Sequence, residues 1–159
     1  RYAGATVTHV KPHGALNNMA AVRADYAHAI GRAIRTVDPT LWYVALAGLE
    51  MERAALELDL PLCREAFIDR EYDPDGNLRS RAHGDSMIRD AARAAERAVA
   101  MVRDETIVAI DGAAMPTAFD TLCVHGDEPS ALAVARACRE ALIAAGIELM
   151  SIPDLMAAR

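Results

Sequence analysis

Leu41-Trp42-Tyr43-Val44-Ala45-Leu46 is followed at once by Ala47-Gly48 and by a helix-prone stretch over 49–58. The first six residues are apolar without alternation, the pattern of a strand covered on both faces. A strand of that kind sits inside a parallel sheet, where crossover helices lie on the two sides. Upstream, residues 6–10 form a short strand candidate. A polar turn follows, and then a helix over 23–36 in which Tyr26, Ile30, Ala33 and Val37 recur at three- and four-residue steps. Asp38-Pro39 ends that helix, because proline disfavours helical backbone in the residue before it.

The same alternation continues downstream. Residues 63–68 read as a strand, and 69–81, with Pro74 and Asp75-Gly76, read as a loop. A helix is expected over 86–103, capped by Asp85 and buried through Ile88, Ala91, Ala95, Val99 and Val102. Residues 106–110 and 121–124 are strand-like. Pro129 suits the first turn of a helix packed through Leu132, Ala135, Cys138 and Leu142. Gly146 stops that helix, and 147–150 is a last strand candidate. Strand–helix alternation implies parallel β/α units, an open sheet or part of a barrel, since a closed barrel takes about 250 residues. No linker or repeat divides the 159 residues, so one domain over 1–159 is expected.

Composition narrows the function classes. Apolar residues make up 53% and charged residues 25%, an ordinary globular balance. The net charge is −6, from 17 basic and 23 acidic residues. An acidic chain without a basic stripe argues against nucleic acid and anionic membrane surfaces as partners. No run reaches the roughly 18 apolar residues of a membrane helix, and Arg1-Tyr2-Ala3-Gly4 does not begin a signal peptide. Cys63, Cys123 and Cys138 are odd in number and form no CxxC pair, which argues against disulfides or a thiolate zinc site. A cytoplasmic location fits this cysteine usage.

Polar residues gather just after the strand candidates: Lys11-Pro12-His13-Gly14 after Val10, Asp69-Arg70 after Ile68, and His125-Gly126-Asp127 after Val124. Ligands of parallel α/β folds bind at the C-terminal ends of the strands. The histidines and aspartates are candidates for proton transfer, and His13 and His125 are candidate metal ligands. Lys11 and Arg70 suit a carboxylate or phosphate, and Gly14 and Gly126 allow close backbone approach. Each taken alone has a plainer reading: His13 as a turn residue, Asp127 as a helix cap, Asp69-Arg70 as a local ion pair. No GxSxG, HExxH or phosphate-binding loop occurs.

The stretch His9-Val10-Lys11-Pro12-His13-Gly14-Ala15-Leu16-Asn17-Asn18-Met19-Ala20 resembles a signature of the LamB/YcsF family. Leu46-Ala47-Gly48, Glu65-Ala66-Phe67-Ile68-Asp69-Arg70 with Tyr72, Asp75-Gly76, Leu78 and Arg81, and Cys123-Val124-His125-Gly126-Asp127 resemble its other motifs, in the family's order. The resemblance implies parallel β/α units within an irregular barrel of the glycoside hydrolase/deacetylase type. It implies one component of an ATP-dependent 5-oxoprolinase, which with subunits B and C opens the lactam of 5-oxoproline to glutamate. His13, Asp69, His125 and Asp127 are then the catalytic candidates, and Lys11, Gly14, Asn18, Arg70 and Arg81 the substrate-binding ones. ATP acts through the complex, and a divalent metal is a further candidate cofactor.

Departures from the family pattern are Asn17 in place of tyrosine and Ser80-Arg81-Ala82 in place of Pro-Arg-Ser, and Asn17 removes a ring or hydroxyl contact from the pocket. The family's opening DLNxDLGE-, GFHAGD- and GAHP-type segments are not in these 159 residues, so a C-terminal part of a longer protein is expected. An opened barrel exposes strand edges, so the isolated chain is expected to dimerise, aggregate or need the missing segment. Two other classes are a non-catalytic scaffold that binds the partner subunits and a metal-dependent polysaccharide deacetylase or sugar-processing enzyme. The latter rests on fold analogy alone.

Overall fold

The computed structural model describes residues 4–158; Arg1-Tyr2-Ala3, where no signal peptide is expected, and Arg159 lie outside the described residues. The elements run β1 (His9–Val10), α1 (Gly14–Val22), α2 (Ala24–Val37), β2 (Trp42–Leu46), α3 (Glu50–Glu57), β3 (Leu62–Phe67), α4 (Ala91–Asp104), β4 (Thr106–Val108), β5 (Ala114–Pro116), β6 (Thr121–Cys123), α5 (Ala131–Ala144) and α6 (Ile152–Ala157). Four strands make one sheet in the order β1-β2-β3-β6, with β1 parallel to β2 and β3 parallel to β6. The α/β class with a parallel sheet is thus the one the strand–helix alternation implies. Among the described residues, no helix is long and apolar enough to cross a membrane. The chain forms two compact units, one up to Arg64 and from Ser151 onward, the other Glu65–Met150.

In the first unit, Tyr43, Val44, Ala45 and Leu46 of β2 are all buried, as the unbroken apolar run requires. The turn after β2 is fixed by Glu52, whose carboxylate accepts the Gly48 N–H at 2.6 Å and pairs with Arg64 Nε at 2.6 Å. Gly48 has φ +77°, which an L side chain adopts only with strain. α2 ends where expected: Asp38 N–H still donates to the Ile34 carbonyl, and the Asp38 carboxylate then accepts the Thr40 N–H.

The buried face of α2 differs from the expected one. Ala27, Gly31 and Ile34 are buried, whereas Val37 is 79% exposed. Small residues let α2 come close to the chain after α3. A Cβ on Gly31 would stand 2.5 Å from Leu58 Cδ1 and 3.4 Å from Leu60 Cδ1. Gly31→Val is therefore expected to destabilise the protein by about 1–3 kcal/mol through overpacking. Gly31→Ala should be nearly neutral, because Leu58 can shift its methyl group while alanine improves helix propensity by about 1 kcal/mol. Chemical denaturation of the two variants checks this, and equal stability of Gly31→Val and wild type contradicts it. The polar turn expected after β1 is instead a helix, α1, which buries Asn17, Ala20 and Ala21.

In the second unit, α4 and α5 pack together through small and medium side chains, Ala94, Ala98 and Met101 against Val134, Cys138 and Leu142. Leu132, expected in that face, is 63% exposed. Asp85 does not cap α4, which starts later, at Ala91. Asp90 caps it, accepting the Arg93 N–H at 2.7 Å. The cause is local pairing: residues 86–88 are held extended beside 69–71, with Glu71 N–H donating to Ser86 O at 3.0 Å and Ile88 N–H to Asp69 O at 2.9 Å. Asp85 instead pairs with Arg79 at 2.7 Å.

β4 belongs to an antiparallel hairpin with β5, not to the parallel sheet, and β5 has no counterpart among the expected strands. Residues 147–150 are not a strand. Gly146, at φ +77°, turns the chain out of α5, and Ser151 caps a short helix, α6. Cys63, Cys123 and Cys138 are thiols, not disulfide partners, and Cys63 and Cys138 are buried. Burial pushes the Cys138 thiol up to about 11, consistent with a packing role.

Candidate functional site

The β3–β6 register builds the centre of the site. Glu65, Ala66 and Phe67 face Thr121, Leu122 and Cys123, so two further residues on each strand bring Asp69 opposite His125. Ile68 N–H continues the ladder to Cys123 O at 3.2 Å. The next donor, His125 N–H, goes to the Asp69 carboxylate instead, with Oδ2 at 2.6 Å. The same carboxylate lies 3.0 Å from His125 Nδ1 through each of its oxygens. A carboxylate only accepts, so Nδ1 carries the hydrogen of this bond and Nε2 is left on the far side of the ring for another partner.

Asp69 is 4% exposed, while the His125 side chain keeps 24% of its surface. One member of the pair is thus locked and the other reachable. Phe67 stacks on the imidazole at 5.2 Å between centroids, with planes 27° apart. Two bonds to Asp69 and one ring face therefore fix the orientation of His125. Met87, Ile88, Val124 and Val134 line the pair with apolar surface, which strengthens electrostatics there.

Beside this pair, two residues along the chain, Asp127 forms a two-pronged ion pair with Arg81, Oδ2 to Nη1 at 2.6 Å and Oδ1 to Nη2 at 3.4 Å. That hydrogen bond holds the Asp127 carboxyl below its ordinary range. Asp127 does not cap α5, which begins after Ser130. Glu128, next in sequence, takes Arg89 in the same two-pronged manner at 2.8 and 3.3 Å.

Arg70 is 3% exposed and donates to the main-chain carbonyls of Ser86 and Arg79, so it fastens the 70–88 loop from within. Burial, and then the charge of Arg81, pulls its pKa down. Buried Glu71, adjoining it, pairs with Arg93 and with Arg97 at 3.5 Å. The Tyr72 hydroxyl accepts the Phe67 N–H at 2.8 Å, which secures the strand behind the stacked ring.

The structure thus joins Asp69 to His125 and Arg81 to Asp127, all named from the sequence, with Arg70 in the loop behind them. Lys11, His13, Gly14 and Asn18 stand in the first unit at the end of β1 and the start of α1. His13 occupies the N-cap position and is exposed, as are Lys11, Gly14 and Asn18. Asn17, the departure from the family pattern, is buried on α1. Phe67 lies in a motif quoted from the sequence, but the sequence reading gives it no site role. Its signal is present there, since residues two apart on a strand share a face and Phe67 precedes Asp69 by two.

Among the described residues, no group of three or more His, Cys, Asp or Glu side chains is placed to hold a metal ion. At the His125 pair the donors are two, and both oxygens of Asp69 are already engaged by His125. That donor set is short of the three protein ligands that a zinc site takes.

Residues 1–157 match the LamB/YcsF family. The chain is 44% identical over 149 residues to the A subunit of 5-oxoprolinase from Natranaerobius thermophilus, covering 94% of this chain and 58% of that protein. It is 47% identical over 145 residues to the A subunit of 5-oxoprolinase from Heliobacterium modesticaldum, covering 91% of this chain and 57% of that protein. The chain therefore spans under two thirds of the length of these relatives. A solved structure, that of a lactam utilization protein from Thermus thermophilus, superposes with a TM-score of 0.85 at 40% identity, over 95% of this chain and 60% of that one. Fold, motif order and relatives agree, and the chain belongs to the LamB/YcsF family.

Proposed function

We propose that the protein is the A subunit of an ATP-dependent 5-oxoprolinase, which hydrolyses the lactam of 5-oxoproline to glutamate with partner subunits B and C in the cytoplasm. The observation that carries this reading is the Asp69–His125 pair: a reachable imidazole whose Nδ1–H is held by a buried carboxylate. The names of the relatives support the substrate class. On this reading the sheet forms part of the larger barrel expected from the family. His13, Lys11, Gly14 and Asn18 are the substrate-site candidates of the first unit, and Arg70 fastens the 70–88 loop of the second.

Lactam hydrolysis needs a proton taken from the attacking water and one given to the ring nitrogen as its bond to carbon breaks. His125 Nε2 takes the first and returns it to the leaving nitrogen, while Asp69 keeps the ring in one tautomer and stabilises the imidazolium between the two transfers. ATP supplies the driving force through the complex, since a five-membered lactam is a stable amide. Asp127 holds Arg81 beside the pair.

The test is reconstitution. The protein with its partner subunits, ATP and 5-oxoproline should release glutamate, with release dependent on this chain. Partner binding without turnover would support the scaffold reading instead. Deacetylation of a polysaccharide in place of lactam opening would support the sugar-processing one.

A further inference from the structure

We infer that Arg81 is the receptor for the substrate's carboxylate, and that Asp127 occupies its guanidinium until the substrate displaces it. This inference rests on the lactam-cleaving reading above and gives Arg81, already a substrate-binding candidate, the group that it reads. Four observations carry it. First, the Arg81–Asp127 contact has the two-pronged geometry with which arginine recognises any carboxylate. Second, both side chains are well exposed, at 42% and 58%, so an incoming anion can reach the pair, and an ion pair in such a place is weak enough to exchange.

Third, a second cation stands behind the first. Arg70 is buried, its hydrogen bonds go to the neutral carbonyls of Arg79 and Ser86, and it repels Arg81. Asp69, the nearby buried carboxylate, has both oxygens committed to His125. Asp127, Glu128 and Asp69 together keep the Arg81 guanidinium charged, so an arriving carboxylate takes the place of Asp127 rather than adding to it. Fourth, Asp127 follows His125 across Gly126, where a Cβ would meet nothing within 4 Å. Only that glycine separates His125 from the aspartate that holds Arg81, so a small lactam at His125 has its anionic substituent near the guanidinium. The chemical class selected is a short carboxylic acid bearing the amide to be cleaved close to its carboxylate. An unsubstituted lactam lacks the group that Arg81 reads.

The experiment uses the assembled complex with two probes, 5-oxoproline and pyrrolidinone, the same ring without the carboxylate. Binding is followed by calorimetry and turnover by product release. In the wild type, 5-oxoproline should bind more tightly than pyrrolidinone. Arg81→Ala should weaken 5-oxoproline binding roughly 10- to 100-fold, the loss of a charged hydrogen-bonded partner, and leave pyrrolidinone binding within about threefold. Asp127→Asn, which frees the guanidinium without emptying the site, should tighten 5-oxoproline binding about threefold.

Equal weakening of both probes in Arg81→Ala, or weaker 5-oxoproline binding in Asp127→Asn, overturns the inference while turnover by the wild type leaves the lactam-cleaving reading intact. Carboxylate-dependent binding that vanishes with Arg81, in a complex that opens neither ring, supports the receptor and overturns the lactam-cleaving reading instead.

Discussion

His125→Ala should lower glutamate release by about 10²–10⁴-fold, the usual contribution of a positioned general acid–base group. Asp69→Asn should cost on the order of 10³–10⁴-fold, although it keeps the imidazole and changes no volume. The carboxylate accepts two hydrogens from one residue, the His125 N–H and the Nδ1–H. An amide in its place turns one acceptor into a donor. The imidazole then moves its proton to Nε2 to avoid that clash, and Nε2 loses its lone pair for the incoming proton. A fall in kcat in both variants, with partner binding and the melting curve of His125→Ala near wild type, is the expected pattern. Glutamate release within threefold of wild type in either variant would falsify the assignment of His125 as the proton carrier.

The second large effect concerns stability. Glu71 is 3% exposed and carries both Arg93 and Arg97, and Arg97 lies with Nε buried and without a hydrogen-bond partner. Burial draws the Arg97 pKa down against the pull of Glu71. Glu71→Ala leaves a desolvated guanidinium with no counter-charge. Breaking a buried pair in this way costs about 3–5 kcal/mol, which exceeds the net worth of the pair itself. Glu71→Leu combined with Arg97→Met removes both charges and should recover most of the loss. Urea denaturation of the single and double variants tests this. A single-variant loss below about 1 kcal/mol, or a double variant no better than the single, contradicts it.

How much of this is legible in the sequence depends on which physical signal each residue carries. β2 is plain, because Trp42–Leu46 can be unbroken and apolar only if both faces are covered. The strand-end placement of Asp69 and His125 follows from the same logic, and their pairing from two parallel strands in register. The buried phase of α2 is hidden because hydrophobicity ranks Tyr26 and Ile30 above Ala27 and Gly31. Close helix contact selects the smaller pair, which a scale of apolarity does not register. α1 is hidden because Gly14, Asn17 and Asn18 are poor helix formers, overridden here by the burial of Ala20 and Ala21.

Residues 86–90 look helical because their pairing partners, 69–71, lie too far back in sequence to be seen locally. The Arg81–Asp127 pair spans 46 residues, so each partner can be named but not their union. The sequence leads one to expect His13 in a cleft with Asp69 and His125. The structure makes the Asp69–His125 half of that constellation and sets His13 at the head of α1 in the first unit.

The pairing of β3 with β6 also constrains how this protein can be edited. Side chains of a strand alternate between its two sides, so deleting a single residue from Thr121–Cys123 would send the imidazole to the reverse side of the sheet, away from its carboxylate. The exposed tip at Pro74-Asp75 carries no such constraint, since added length there is absorbed by a turn. A tag or fluorophore belongs in that loop, whereas the three residues of β6 admit substitution but no change in count.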